Sequence, residues 1–140
     1  MNNLKFRAYI KSIQKIADVL EIDFKNKTAI LDLTTNKVYP ETSYWWKEIK
    51  LAFSQVIIMQ STGLKDKNGK EIFEGDIVSK ENEYVVIKSF TGLWKAVSQK
   101  DDEKDRELYF LTLADVCEDI EVIGNIYENK ELLDNDFEKI

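Results

Sequence analysis

Apolar and polar residues alternate along most of this chain. In "IADVLEIDF" (16–24), Leu20, Ile22 and Phe24 fall on one side, with Glu21 and Asp23 on the other. A period of two is the mark of a strand with one face toward a core. "KNKTAILDL" (25–33) continues the pattern, setting Ala29, Leu31 and Leu33 opposite Thr28 and Asp32. The "KNK" between these runs is short and polar, so the two strands are expected to pair as an antiparallel hairpin. Further on, "DIVSK", "EYVVIKSF", "LWKAVS" and "ELYFL" are short β-rich runs broken by "ENE", "TG" and the charged "QKDDEKDR". "IEVIGNIY" predicts one more strand, in which Gly124 signals a bulge or a close backbone approach. Only "ENKELLDNDF" has a helical pattern, with Leu132 and Leu133 as its apolar anchors.

The two halves repeat an order. Each has an opening strand (5–10 and 76–80), a long hairpin, a mixed aromatic segment and a last apolar strand (55–60 and 120–127). "LAFS" precedes the last strand in one half and "TLADVCED" in the other, and either can form a single helical or 3₁₀ turn. A duplicated five-stranded barrel would leave this pattern, although the halves share little identity. Short, evenly spaced strands without crossover helices favour an antiparallel barrel or sandwich over a parallel sheet.

Composition narrows the function classes. With 44% apolar and 33% charged residues among 140, the chain is expected to fold as one domain or two small lobes. No apolar run reaches the ~18 residues a bilayer span needs, and the opening lacks the layout of a secretory signal, so an intracellular protein is expected. Cys117 is the sole cysteine, and the chain contains no histidine. The usual activating base for a thiol and the commonest transition-metal ligand are therefore missing, and Cys117 reads as a small core or rim residue. The net charge of −6 is uneven: residues 1–75 hold 12 Lys/Arg against 9 Asp/Glu (net +3), and residues 76–140 hold 8 against 17 (net −9). An acidic chain with pI near 4.8 is poorly suited to polyanions or anionic membranes.

The stretch "STGLKDKNGKEIFEGDIV" (61–78) has the glycines, lysines and acids of an active-site loop, and it fails as one. Five residues separate Gly63 from Gly69 where a phosphate-binding loop has four, and Glu71 stands where Ser or Thr would hold magnesium. As a calcium loop it places glycine too early and lacks the closing bidentate Glu. Turns account for the residues better. Asn68-Gly69 supplies a positive-φ pair, Asp66 can cap amides locally, Glu74-Gly75-Asp76 makes a second turn, and Ile72 and Phe73 pin the loop to the core. The acidic loop 101–107 reads as solvated, because Lys104 and Arg106 interrupt its carboxylates.

"MQSTGLKDKNGKEIFEGDIV" together with "IEVIGNIYEN" resembles the YopX family of bacteriophage and prophage proteins, whose members also open on a segment similar to "LKFRAYIKSIQKI". This chain departs from the family where Tyr9-Ile10 runs into "KSIQKI" instead of a tryptophan and an Asp/Asn/Lys-rich turn. The resemblance implies a small, mostly β protein with an N-terminal lobe, an SH3-like C-terminal barrel and a phage-encoded role in the bacterial cytoplasm. It implies no activity and transfers no catalytic or binding residues.

"YWWKEIK" (44–50) is the sequence's best candidate surface. Adjacent Trp45 and Trp46 on an extended segment face opposite ways, so one can anchor a protein partner or stack on a base beside Lys47 and Lys50. The alternative is that one fills the first lobe and the other a seam between lobes. The expected architecture is mainly all-β: an N-terminal lobe over 1–62, an SH3-like barrel over 63–128, and a short helical segment over 129–140. The expected function is non-enzymatic binding of a protein partner, or of further copies of the chain, with no cofactor or metal. A nucleic-acid-binding small barrel is the alternative.

Overall fold

A computed structural model describes residues 5–34, 47–80, 83–90, 93–98 and 110–133. The chain is mostly antiparallel β-structure and divides into two units, Met1–Gln60 and Ser61–Ile140. In the first unit, β1 (Phe6–Ile10), β2 (Lys15–Asp23), β3 (Thr28–Asp32) and β4 (Glu48–Ala52) follow in sequence. A 3₁₀ turn, Phe53–Gln55, then leads into β5 (Val56–Lys65), which runs on into the second unit. The order across the sheet is β4-β3-β2-β1-β5, and a sixth strand adds beyond β5.

The second unit starts with β6 (Glu71–Phe73), which pairs with the far half of β5, and then β7 (Asp76–Lys80), β8 (Glu83–Phe90), β9 (Leu93–Ser98) and β10 (Phe110–Thr112). A short helix, α1 (Leu113–Val116), and a 3₁₀ turn, Cys117–Asp119, precede β11 (Glu121–Asn125). The strand order is β10-β9-β8-β7-β11. The two sheets therefore repeat one plan: a four-strand meander, a helical turn, and a last strand returning to the first. The repeated order legible in the sequence is a repeated topology.

Alternation decides which side chains fill each core. Ala29, Leu31 and Leu33, on one face of the β3 run, join Ala8, Ile10, Ala17 and Val56 in the first core. Ile72, Val78, Val85, Ile87, Ala96, Leu113, Ile120 and Val122 build the second, with Trp94 and Cys117 packed at its border. The Cys117 thiol points back to the Ala114 carbonyl, 3.8 Å away. Ile77 and Val86 pair across β7 and β8, one step out of phase with the core pair Val78 and Val85, and are equally buried. Those strands are thus covered on both faces, which is why "DIV" and "YVVI" read as continuous apolar runs.

One expected face is corrected. Val19 pairs with Leu31 and Glu21 with Ile30, so Leu20 is the extra residue of a β-bulge. The bulge resets the alternation. Ile22 lies opposite buried Ala29, whereas Leu20 is 52% exposed and Phe24, past the strand end, 76%. The three do not share a core face. At the C-terminus, the described part of the expected helical segment is a single turn at 131–133, held by Leu132 and Leu133 amides on the Asn129 and Lys130 carbonyls. Among the described residues no helix is long and apolar enough to cross a membrane.

Candidate interaction surface

The glycine- and acid-rich stretch 61–78 folds as turns, and its acids serve its own backbone. Asp66 is 5% exposed; one carboxylate oxygen accepts the amides of Asn68 and Lys70, each at 2.9 Å, and the other accepts the amide of Val122 on β11, also at 2.9 Å. Asp66 thus closes its own turn and ties that turn to β11, 56 residues away. Burial pushes its carboxyl up, but the Val122, Lys70 and Asn68 amides and the Lys70 charge outweigh burial and hold it below 3.8. Only Gly69 of the Asn68-Gly69 pair takes positive φ, at 81°. The expected two-residue positive-φ turn is therefore corrected to an Asx-type turn built by Asp66, with the Gly69 amide on the Asp66 carbonyl. In the next turn Gly75 has φ 84°, and buried Asp76 accepts the Phe73 amide at 2.8 Å.

Gly124 meets both expectations. A bulge lies between Val122 and Gly124 on β11, and a Cβ built at Gly124 would stand 2.6 Å from the Asn129 side-chain oxygen. That oxygen accepts the Asn125 amide at 3.1 Å, while the Asn125 side chain accepts the Tyr127 and Glu128 amides.

Of the four candidate binding residues, Trp45 and Trp46 lie outside the described residues, as does the acidic loop 101–107. Lys47 and Lys50 are exposed, Lys47 before β4 and Lys50 in its middle. Lys47 lends its carbonyl to the Leu33 amide at 2.8 Å. Lys50 stands opposite Ile30, and these two line a shallow hollow with Glu21, Asp23 and Thr28. Its neighbours are carboxylates. Asp23 accepts the Asn26 amide at 3.0 Å and the Asn26 side-chain amide at 2.7 Å. Those two bonds, then the Lys25 amide and the Lys50 charge, hold the Asp23 carboxyl below 3.8 against slight desolvation. The lysine that the sequence set beside a base-stacking tryptophan is thus already facing acids.

Register shows which further side chains share this hollow's face. Pairs alternate sides along β2–β3–β4: Val19, Leu31 and Ile49 face the core, as do Ile22, Ala29 and Leu51. The rows between them face outward. They are Asp18, Asp32 and Glu48; then Glu21, Ile30 and Lys50; then Asp23, Thr28 and Ala52. Past the last row, Phe53 packs against the first core and meets Phe24 edge to face, ring centroids 6.2 Å apart. The sequence showed these acids singly, at alternate positions. Their alignment into rows depends on how the strands register, and the exposure of Leu20 on the bulge.

Comparison with known proteins places the chain. The crystal structure of protein EF1440 from Enterococcus faecalis is similar at 28% identity and a TM-score of 0.57, over 95% of this chain and 99% of that one. No curated protein matches. The family described as YopX protein matches residues 5–134, nearly the whole length, through both repeated sheets and the Asp66 turn. The chain belongs to the YopX family.

Proposed function

We propose that this chain is a non-enzymatic accessory protein, encoded by a phage or prophage and acting in the bacterial cytoplasm, that works by binding another protein. The observation that carries this reading is the exposed apolar pair on the first unit, Leu20 and Phe24. Each side chain forgoes much of the ~1.5–3 kcal/mol that full burial of such a group contributes, and a partner would recover it. Phe24 is braced by Phe53, so it meets a partner already oriented. The non-enzymatic part is supported by Asp66: the buried carboxylate of the chain's most loop-like motif spends its acceptors on three backbone amides. The likeness to phage and prophage proteins supports the origin and the compartment.

The nucleic-acid alternative would use Lys47 and Lys50. The carboxylates of Glu21 and Asp23 beside Lys50 weigh against it, because a polyanion drawn to the lysine would be repelled by its neighbours. The test is capture of tagged full-length chain from lysate of phage-carrying cells, with and without nuclease, beside a Leu20→Ser, Phe24→Ser variant. The expected result is a protein that co-purifies despite nuclease and is lost from the variant. Loss of all company on nuclease treatment would overturn the reading in favour of nucleic acid. Retention by the variant would show that these two side chains are not the anchor.

A further inference from the structure

We infer that the outer face of β2–β3–β4 is a docking surface for a cationic polypeptide segment carrying a large apolar side chain. The inference rests on the protein-binding reading and specifies the partner's chemistry.

Charge segregation is the first ground. The first unit, Met1–Gln60, holds 9 Lys/Arg against 6 Asp/Glu, a net of +3. Yet Asp18, Glu21, Asp23, Asp32 and Glu48, which are all of its acids among the described residues, project from this one face. Lys50, and Arg7 opposite Asp18, are cations that share the face with them. A basic unit has thus gathered its negative charge on one side of one sheet.

The second ground is the row formed by Asp18, Asp32 and Glu48. These carboxylates are directly opposite across three strands, with Arg7 opposite Asp18 at the row's end. Cβ atoms so placed are ~4.5–5.5 Å apart, and directly opposed like charges destabilise a sheet. Asp32 also accepts the Thr34 amide at 2.9 Å, so its carboxylate serves a local cap. A cationic segment laid on the row would relieve the repulsion, so binding and fold stability gain together.

The apolar elements complete the match. Ile30 lies in the middle of the face, and Leu20, the extra residue of the bulge next to Glu21, is half exposed. Outward positions along a strand recur every ~6.8 Å, the spacing of alternate side chains on an extended partner. The surface therefore fits a segment in which Lys or Arg alternates with apolar residues. A second copy of this chain fits it poorly, since self-complementary docking would set the acidic rows against each other. A bound cation fits it poorly too: among the described residues no three His, Cys, Asp or Glu gather closely enough to hold one.

The test is an amide NMR titration of the full ¹⁵N-labelled chain with three synthetic peptides: alternating lysine and phenylalanine, alternating glutamate and phenylalanine, and lysine with serine. Wild type is compared with a Glu21→Lys, Glu48→Lys variant whose spectrum remains dispersed. The Lys/Phe peptide is expected to shift amides around Glu21, Ile30 and Lys50. Its affinity should drop by about tenfold or more in the variant and fall with added salt, as an interface dependent on several charges does. The Glu/Phe peptide should not bind, and the Lys/Ser peptide should bind more weakly. Shifts spread over other surfaces, or an unchanged affinity in the variant, would overturn the inference. Concentration-dependent shifts at the same amides without peptide would assign the face to a second copy and also overturn it. A captured nuclease-resistant protein combined with failed peptide binding would sink this inference alone and leave the protein-binding reading standing.

Discussion

Replacing Asp66 by asparagine would keep the shape of the turn and remove its charge. The amide oxygen could still accept the Asn68 and Lys70 amides, but its NH₂ would then face the Val122 amide, donor against donor. A hydrogen bond to a charged group contributes roughly 1.5–3 kcal/mol, and a buried donor left unpaired adds a penalty. The expected outcome is a loss of about 2–3 kcal/mol at neutral pH, with faster amide exchange at Val122. The pH dependence has a definite sign. The folded Asp66 carboxyl lies below 3.8, so its contribution is complete above that value and lost as pH falls through 3.8 toward the folded value. Urea unfolding of wild type and Asp66→Asn should therefore differ most near neutrality and converge in acid. A gap that stays constant down to the acid limit would show that the Asp66 charge is not what matters.

The hairpins show what a single strand's pattern can and cannot carry. Gly124 was legible because a glycine inside an apolar strand gives up packing and order that any larger residue would supply, which makes sense at a bulge or a close approach. Its clash with Asn129 on gaining a Cβ shows that the close approach is real. The bulge at Leu20 was not legible. Val19 and Leu20 are adjacent and both apolar, so either could face the core, and the pairing of Val19 with Leu31 decides the matter. The acidic face was half legible: alternation put Glu21, Asp23 and Asp32 outward, but only the register between strands stacks Asp18, Asp32 and Glu48 into a row. The candidate lysines were found as exposed residues, and their acidic surroundings were not. The β2–β3 turn hides another cost, because Lys27 takes positive φ at 55° where the sequence shows only a polar "KNK". An L-residue with a Cβ holds that conformation at ~1–2 kcal/mol. Lys27→Gly should remove most of that penalty while loosening the unfolded chain, for a net gain of about 0.5 kcal/mol. Lys27→Val should instead destabilise the hairpin, and both are read by thermal unfolding. Equal melting temperatures for the two would show that the turn relaxes around either residue.

Across the whole chain, two units share one strand plan and differ in charge. Residues 1–60 carry +3 and residues 61–140, with 11 Lys/Arg against 20 Asp/Glu, carry −9. Opposed effects then decide how salt acts on stability. Screening weakens the attractions, such as Lys67 with Glu121 at 3.8 Å, but both partners there are about half exposed and such pairs contribute only ~0–1 kcal/mol. Screening also relieves the repulsion along Asp18, Asp32 and Glu48 and within the acidic second unit, where the imbalance is largest. Repulsion should dominate. Raising salt from about 10 to about 150 mM shortens the screening length from ~30 to ~8 Å, so the melting temperature should rise by about 2–4 °C. Glu48→Gln should stabilise the protein in low salt and shrink that rise, because the row loses one of its three charges. A melting temperature that falls with salt would mean that attractive pairs prevail and that the acidic row is already neutralised by its surroundings. The docking inference would then lose the repulsion that a cationic partner is expected to relieve, and only the segregation of charge and the exposed apolar side chains would remain to support it.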